Sequence, residues 1–159
     1  MKKYLLFLTL LLILLGGCSR KPAFDTSLLI GKWYAYNFEY EDGIESSTAL
    51  ALVFANENEV YIEAKFSIDG DYFGQVTGQG EYKVNGDIIK INIPDSQWES
   101  SVNKDFFDSA AEYEQALKEI KKEFHEDNEP WSETKVISIS AQKLIVEDDG
   151  ELIEFDKFQ

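Results

Sequence analysis

Apolar and polar residues alternate along most of the chain from residue 28 to residue 93, and again after residue 134. A period of two marks strands with one buried face. The first strand follows Leu28-Leu29-Ile30-Gly31. Alternation sets Trp33, Ala35 and Asn37 on one face and Tyr34, Tyr36, Phe38 and Tyr40 on the other. Thr48 to Phe54 aligns Leu50, Leu52 and Phe54. Glu59 to Ile68 aligns Val60, Ile62, Ala64 and Phe66. Tyr72 to Thr77 and the stretch from Gly78 to Val84 read as further strands. Asn85-Gly86 then makes a hairpin turn into Ile88 to Ile93. Lys135 to Ser140, Lys143 to Glu147 and Glu151 to Phe158 close the chain, and Asp42-Gly43, Asp69-Gly70 and Asp149-Gly150 mark turns. Eight or nine short strands in this order predict an all-β, antiparallel, up-and-down meander. A sheet of that size curls, and closing it into a barrel removes its exposed edges.

One stretch breaks the pattern. Between Pro94 and Thr134, the residues Phe106, Ala110, Tyr113, Leu117, Ile120 and Phe124 recur at spacings of four and three. That is the stripe of an amphipathic helix, predicted over about residues 102–127. Asn103 or Ser101 can cap its start, and Asn128 and Pro130 follow its end. The helix is inserted before the last three strands. Two placements are open: against the barrel wall, covering a flank such as the Tyr34, Tyr36 and Phe38 row, or over the barrel mouth as a lid.

The first residues follow a third pattern. Met1-Lys2-Lys3 is basic, and Tyr4 to Leu15 is apolar apart from Thr9. This run is too short to span a bilayer, which takes about 20 residues, and suits a signal peptide. Leu15-Gly16-Gly17-Cys18 follows, and here the chain resembles a bacterial lipoprotein signal. The resemblance implies cleavage after residue 17 and acyl chains on Cys18. It accounts for the one cysteine of an exported chain, and more than one acyl chain gives stable anchoring. Residues 18–27 then read as a tether, and residues 28–159 as one domain. Ser19-Arg20-Lys21 lacks the acidic residues that often mark surface display. A position on the outer membrane facing the periplasm is expected by that analogy.

Charge narrows the partners. The formal charge is −15, and loss of Lys2 and Lys3 takes it to −17. Such a surface excludes a nucleic-acid footprint and repels anionic lipid. The membrane partner is therefore reached through Cys18 alone. A monomer is expected.

Gly31-x-Trp33 before an aromatic strand, and Gly80-x-Tyr82-x-Val84-Asn85-Gly86 before an isoleucine-rich strand, resemble the lipocalin-like barrels. The resemblance implies that Trp33 plugs the closed end. It also favours the wall placement of the helix. A barrel of this size either fills its interior with side chains or holds one small ligand. Leu50, Leu52, Phe54, Val60, Ile62, Tyr82, Val84, Ile89 and Ile91 are the inward candidates, and they suit a filled core as well as a cavity. For a cavity, the candidate ligand-binding residues are Leu52, Phe54, Ile62, Tyr82 and Ile91, with Tyr82 as hydrogen-bond partner to an apolar or aromatic ligand.

Catalytic and metal chemistry find little support. His125 is the one histidine and has no nucleophile motif beside it. One histidine and a lipidated cysteine make a poor zinc set. Asp69-Gly70-Asp71 fails as a calcium loop because Phe73 replaces a ligand and Gly80 stands where the bidentate glutamate belongs. Gly74, Gly78 and Gly80 fit bends in a curved sheet. No cofactor, no metal and no enzyme activity are expected. The sequence-level reading is a lipid-anchored envelope protein that binds a small apolar ligand, or else an accessory domain that binds an envelope protein.

Overall fold

A computed structural model describes residues 21–41, 43–123, 132–148 and 150–158. Cys18, Phe124, His125, Asn128 and Pro130 lie outside them. The described strands are β1 (Gly31–Glu41), β2 (Ile44–Phe54), β3 (Glu59–Ile68), β4 (Asp71–Asn85), β5 (Ile88–Asn92), β6 (Trp98–Val102), β7 (Ser132–Ile139), β8 (Lys143–Asp148) and β9 (Glu151–Lys157). The described α-helix, α1, spans Ala110–Glu123. Eight strands close an antiparallel barrel in the order β1-β2-β3-β4-β5-β7-β8-β9, with β9 returning to β1. The up-and-down meander barrel is the architecture that the alternation predicts.

The ninth strand is β6, which the sequence reading missed. Two segments read as separate strands, 72–77 and 78–84, form one long strand, β4. Its later part pairs with β5 through Glu81↔Asn92, and its earlier part pairs with β6 through Gly78↔Trp98. Pro94 therefore interrupts the strand partnering β4 rather than ending the sheet. The glycines of β4 permit this close crossing. A Cβ on Gly80 would lie 2.1 Å from the Asn92 carbonyl oxygen, and one on Gly78 would lie 2.7 Å from the Trp98 ring. Register shifts fall between Phe66 and Ser67 on β3 and between Val136 and Ser138 on β7.

The barrel floor is built around Trp33, which is wholly buried. Its indole N–H donates to the Leu29 carbonyl oxygen at 2.6 Å, satisfying the polar end of a buried ring. Gly31 has φ +127°, open to glycine alone. Its missing side chain leaves room for Lys157, whose Cε would lie 2.8 Å from a Cβ there. The Lys157 ammonium donates to the Leu28 carbonyl oxygen at 2.9 Å and stands 4.8 Å from the centre of the Trp33 ring. The segment before β1 also seals this end. A 3₁₀ turn at Thr26–Leu28 is capped by Asp25, Ala23 N–H donates to the Gly86 carbonyl oxygen, and Phe24 packs on the core. Part of the expected tether thus belongs to the folded domain.

The helix starts later than its stripe predicts. Asn103 caps a 3₁₀ turn, Lys104–Phe106, and not the α-helix. Ser109 and Glu112 begin α1 as a reciprocal capping box. Ser109 Oγ accepts from Glu112 N–H, and Glu112 Oε2 accepts from Ser109 N–H, both at 3.2 Å. The helix packs beside β6. Phe107 bridges Phe73 and Tyr113 at ring distances of 5.9 Å. Among the described residues the helix does not cover the β1 aromatic row: Tyr36 is 66%, Phe38 68% and Tyr40 75% exposed. The Phe73, Phe106 and Phe107 cluster holds the helix beside β4 and β6 instead.

Candidate functional site

Inward-facing side chains fill the lower barrel. Leu29, Trp33, Phe54, Val60, Tyr82, Leu144 and Phe155 form its packed base. Above them they leave a cavity of about 220 Å³. Leu50, Leu52 and Phe54 of β2 face it beside Ile62 of β3. Ile89 and Ile91 of β5 form the opposite wall with Leu144 and Val146 of β8, and Ile153 and Phe155 of β9 complete it. Register explains this convergence. Leu52 pairs with Ile62, Leu144 with Phe155 and Val146 with Ile153, so each pair presents both side chains to the same face.

Polar groups gather only at the upper rim, where Trp98, Ser132, Thr134 and Asp148 line the space. Ser132 Oγ donates to the Ile91 carbonyl oxygen at 3.3 Å, and Thr134 Oγ1 donates to Asp148 Oδ1 at 3.5 Å. Trp98 enters the barrel because Gly78, its partner across the strands, has no side chain. It was absent from the sequence-level candidates. The signal that can find it is an isolated tryptophan four residues past Pro94, opposite a glycine in register.

Leu52, Phe54, Ile62 and Ile91 all line this cavity. Tyr82 does not join them. Its hydroxyl donates to the Asn56 carbonyl oxygen at 2.7 Å, and its ring meets Phe54 edge-on at 4.8 Å. It belongs to the packed floor, which corrects its expected role as a ligand's hydrogen-bond partner. Burial pushes the Tyr82 phenol above its ordinary pKa. Trp33, read as the plug, stands below the cavity and is buried with no exposed surface.

A second concavity, about 350 Å³, runs over the outer face of β1 to β4 and is lined by groups such as Lys32, Tyr61, Glu63, Gln79 and Gln97. Next to it Glu59 accepts from Tyr61 at 2.6 Å and from Gln79 at 3.1 Å. The Tyr61 hydroxyl holds the Glu59 carboxyl below its usual range, and the same bond raises the Tyr61 phenol. Of the polar groups lining this groove, Gln79 donates to the Tyr61 hydroxyl at 3.1 Å. The interior cavity is lined chiefly by apolar side chains, as small-molecule sites are. Among the described residues no three histidine, cysteine or carboxylate groups are placed to hold a metal ion.

No protein-family model matches the chain, and no curated protein matches it. Among solved structures, the chain is similar to a lipocalin-like protein from Bacteroides uniformis, at 21% identity and a TM-score of 0.44. The alignment covers 82% of this chain and 99% of that one. It is also similar to an uncharacterized protein from Bacteroides eggerthii, at 22% identity and a TM-score of 0.46, with the same coverage.

Proposed function

We propose that this protein is a lipid-anchored binding domain of the cell envelope that takes a small apolar or aromatic molecule into its barrel. The observation that carries the reading is the apolar cavity of about 220 Å³ between Leu52, Ile62 and Ile91. An engineered apolar cavity of about 150 Å³ stays dry and binds benzene, so a ligand of one ring with a short extension, or a short alkyl group, fits here. Removing such a group from water supplies the driving force, and the rim groups set its orientation. The anchor rests on Leu15-Gly16-Gly17-Cys18, and a periplasm-facing position on Ser19-Arg20-Lys21.

Titration with 4-dimethylaminobenzonitrile, a one-ring dye whose fluorescence rises in apolar surroundings, tests the cavity. Saturable enhancement is expected, and Ile62→Trp, which fills the space, should abolish it while far-ultraviolet circular dichroism stays unchanged. Enhancement that persists in folded Ile62→Trp places the dye elsewhere and removes the reading. Cys18→Ala should move the protein from the membrane to the soluble fraction. Retention at the membrane would end the lipid-anchor proposal.

A further inference from the structure

The barrel wall has one incomplete seam. Strands β1 and β9 pair at Trp33↔Lys157 and Tyr34↔Asp156, and the ladder goes no further. In continued register Tyr36 would face Glu154, and Phe38 would face Leu152. Both strands stay extended beyond the break. β1 pairs with β2 as far as Glu41↔Ile44, and β9 pairs with β8 as far as Asp148↔Glu151. Two facing backbone edges, residues 35–41 and 151–155, are therefore left without each other's hydrogen bonds. An unpaired edge is a template for another strand, and proteins ordinarily blunt one with charge, proline or a covering element.

Here apolar side chains alternate with exposed carboxylates, and Glu154, in line with Tyr36, is ion-paired to Lys143 at 2.7 Å. Tyr36, Phe38 and Tyr40 stand exposed on one side, and Leu152, 66% exposed, on the other. Ala49 and Ser47 lie opposite Tyr36 and Phe38 on β2, and their short side chains leave the rings uncovered. On the inner side of the same seam, Ile153 and Phe155 face the apolar cavity. Glu39, Glu41 and Glu151 are exposed at its outer end.

We infer that the β1–β9 seam is a docking site for an extended peptide segment with a basic end, which pairs with both strand edges and completes the barrel wall. Backbone groups decide between possible occupants. An alkyl chain would cover the rings and leave the edge N–H and C=O groups without partners, which is costly once water is excluded. A peptide backbone satisfies them while its alternate side chains pack beside Phe38 and Leu152. A strand already embedded in a second barrel offers one edge, whereas the seam presents two. The acidic outer end favours positive charge on the segment. The inference concerns the wall and stands whether or not the lumen takes a ligand.

The test uses the whole chain and a fluorescein-labelled peptide of alternating valine and threonine with a lysine at each end. Hydrogen exchange should find seam-facing amides within residues 35–41 and 151–155 fast in the free protein and slowed by the peptide. Fluorescence anisotropy should give saturable binding, weakened about tenfold or more by Phe38→Ser with Leu152→Ser. Both positions are exposed, and circular dichroism verifies that the variant folds. A peptide ending in glutamate should bind more weakly. Seam amides already protected in the free monomer, no saturable binding, or equal binding by the variant would overturn the inference. So would protection by a fatty acid but not by the peptide, or a dimer that protects the seam and dissociates on Phe38→Glu.

Discussion

The two ends of β1 carry the same kind of residue to opposite fates. At the floor, Trp33 is fully buried, its indole N–H bonded to Leu29 and its face covered by the Lys157 ammonium. Toward the mouth, Tyr36, Phe38 and Tyr40 stand more than half exposed on a strand whose outer edge has lost its partner. Burying a large ring contributes up to about 3 kcal/mol, so the floor holds the fold together and the rings at the mouth leave that energy unrealised. The lesson is a division of labour along one strand. Side chains at the floor are chosen for fit, and side chains at the mouth remain available to something outside the chain.

The largest expected effect breaks this contrast directly. Trp33→Ala should cost about 3–5 kcal/mol in chemical denaturation, as large aromatic deletions in cores do. Phe38→Ala, on the same strand, should change stability by no more than about 0.5 kcal/mol. Comparable losses would mean that the aromatic row is structural. Next comes Gly78→Leu, where the new Cβ would meet the Trp98 ring at 2.7 Å. Overpacking of this kind costs about 1–3 kcal/mol, and displacement of Trp98 into water should shift its emission to the red. Unchanged emission would show that the ring does not depend on the glycine. Ser109→Ala removes the cap of α1 and should cost about 1 kcal/mol, read as a lower thermal midpoint and reduced helical ellipticity.

The floor was the legible part. Gly31 and Trp33 stand two apart at the head of an alternating strand, and strict alternation in β2, β3 and β5 sorts Leu52, Phe54, Ile62 and Ile91 onto one face. Period two fixes a face, not a depth, which is why Tyr82 could be placed inside without showing that its hydroxyl turns to Asn56. Three features lay beyond the pattern. β6 is five residues long and reads Trp-Glu-Ser-Ser-Val, too short and polar to reveal a strand whose ladder partner among the described residues is β4. The start of α1 was misplaced because Phe106 continues the helical spacing while lying on a 3₁₀ turn; Ser109 and Glu112 carried the truer signal. The open seam is set by where two strands part, and nothing in either strand alone records the distance between them.

The smallest expected effect separates floor from cavity by pH. Tyr82→Phe removes the hydroxyl bonded to the Asn56 carbonyl oxygen and should cost about 0.5–1.5 kcal/mol near neutrality. In the folded chain burial raises the Tyr82 pKa, so the folded state favours the neutral phenol. The stabilisation this gives is complete below the unfolded phenol's pKa of about 10. It is lost as pH rises through that value toward the folded one, because the unfolded chain releases its proton first. The wild-type protein should therefore lose stability above about pH 10 more steeply than Tyr82→Phe, in paired urea titrations. Parallel slopes would mean that the Tyr82 phenol titrates alike in both states, as a group reached by solvent through the cavity would. Steeper loss in the wild type, with unchanged dye affinity in the variant, places the hydroxyl in the floor and outside the site.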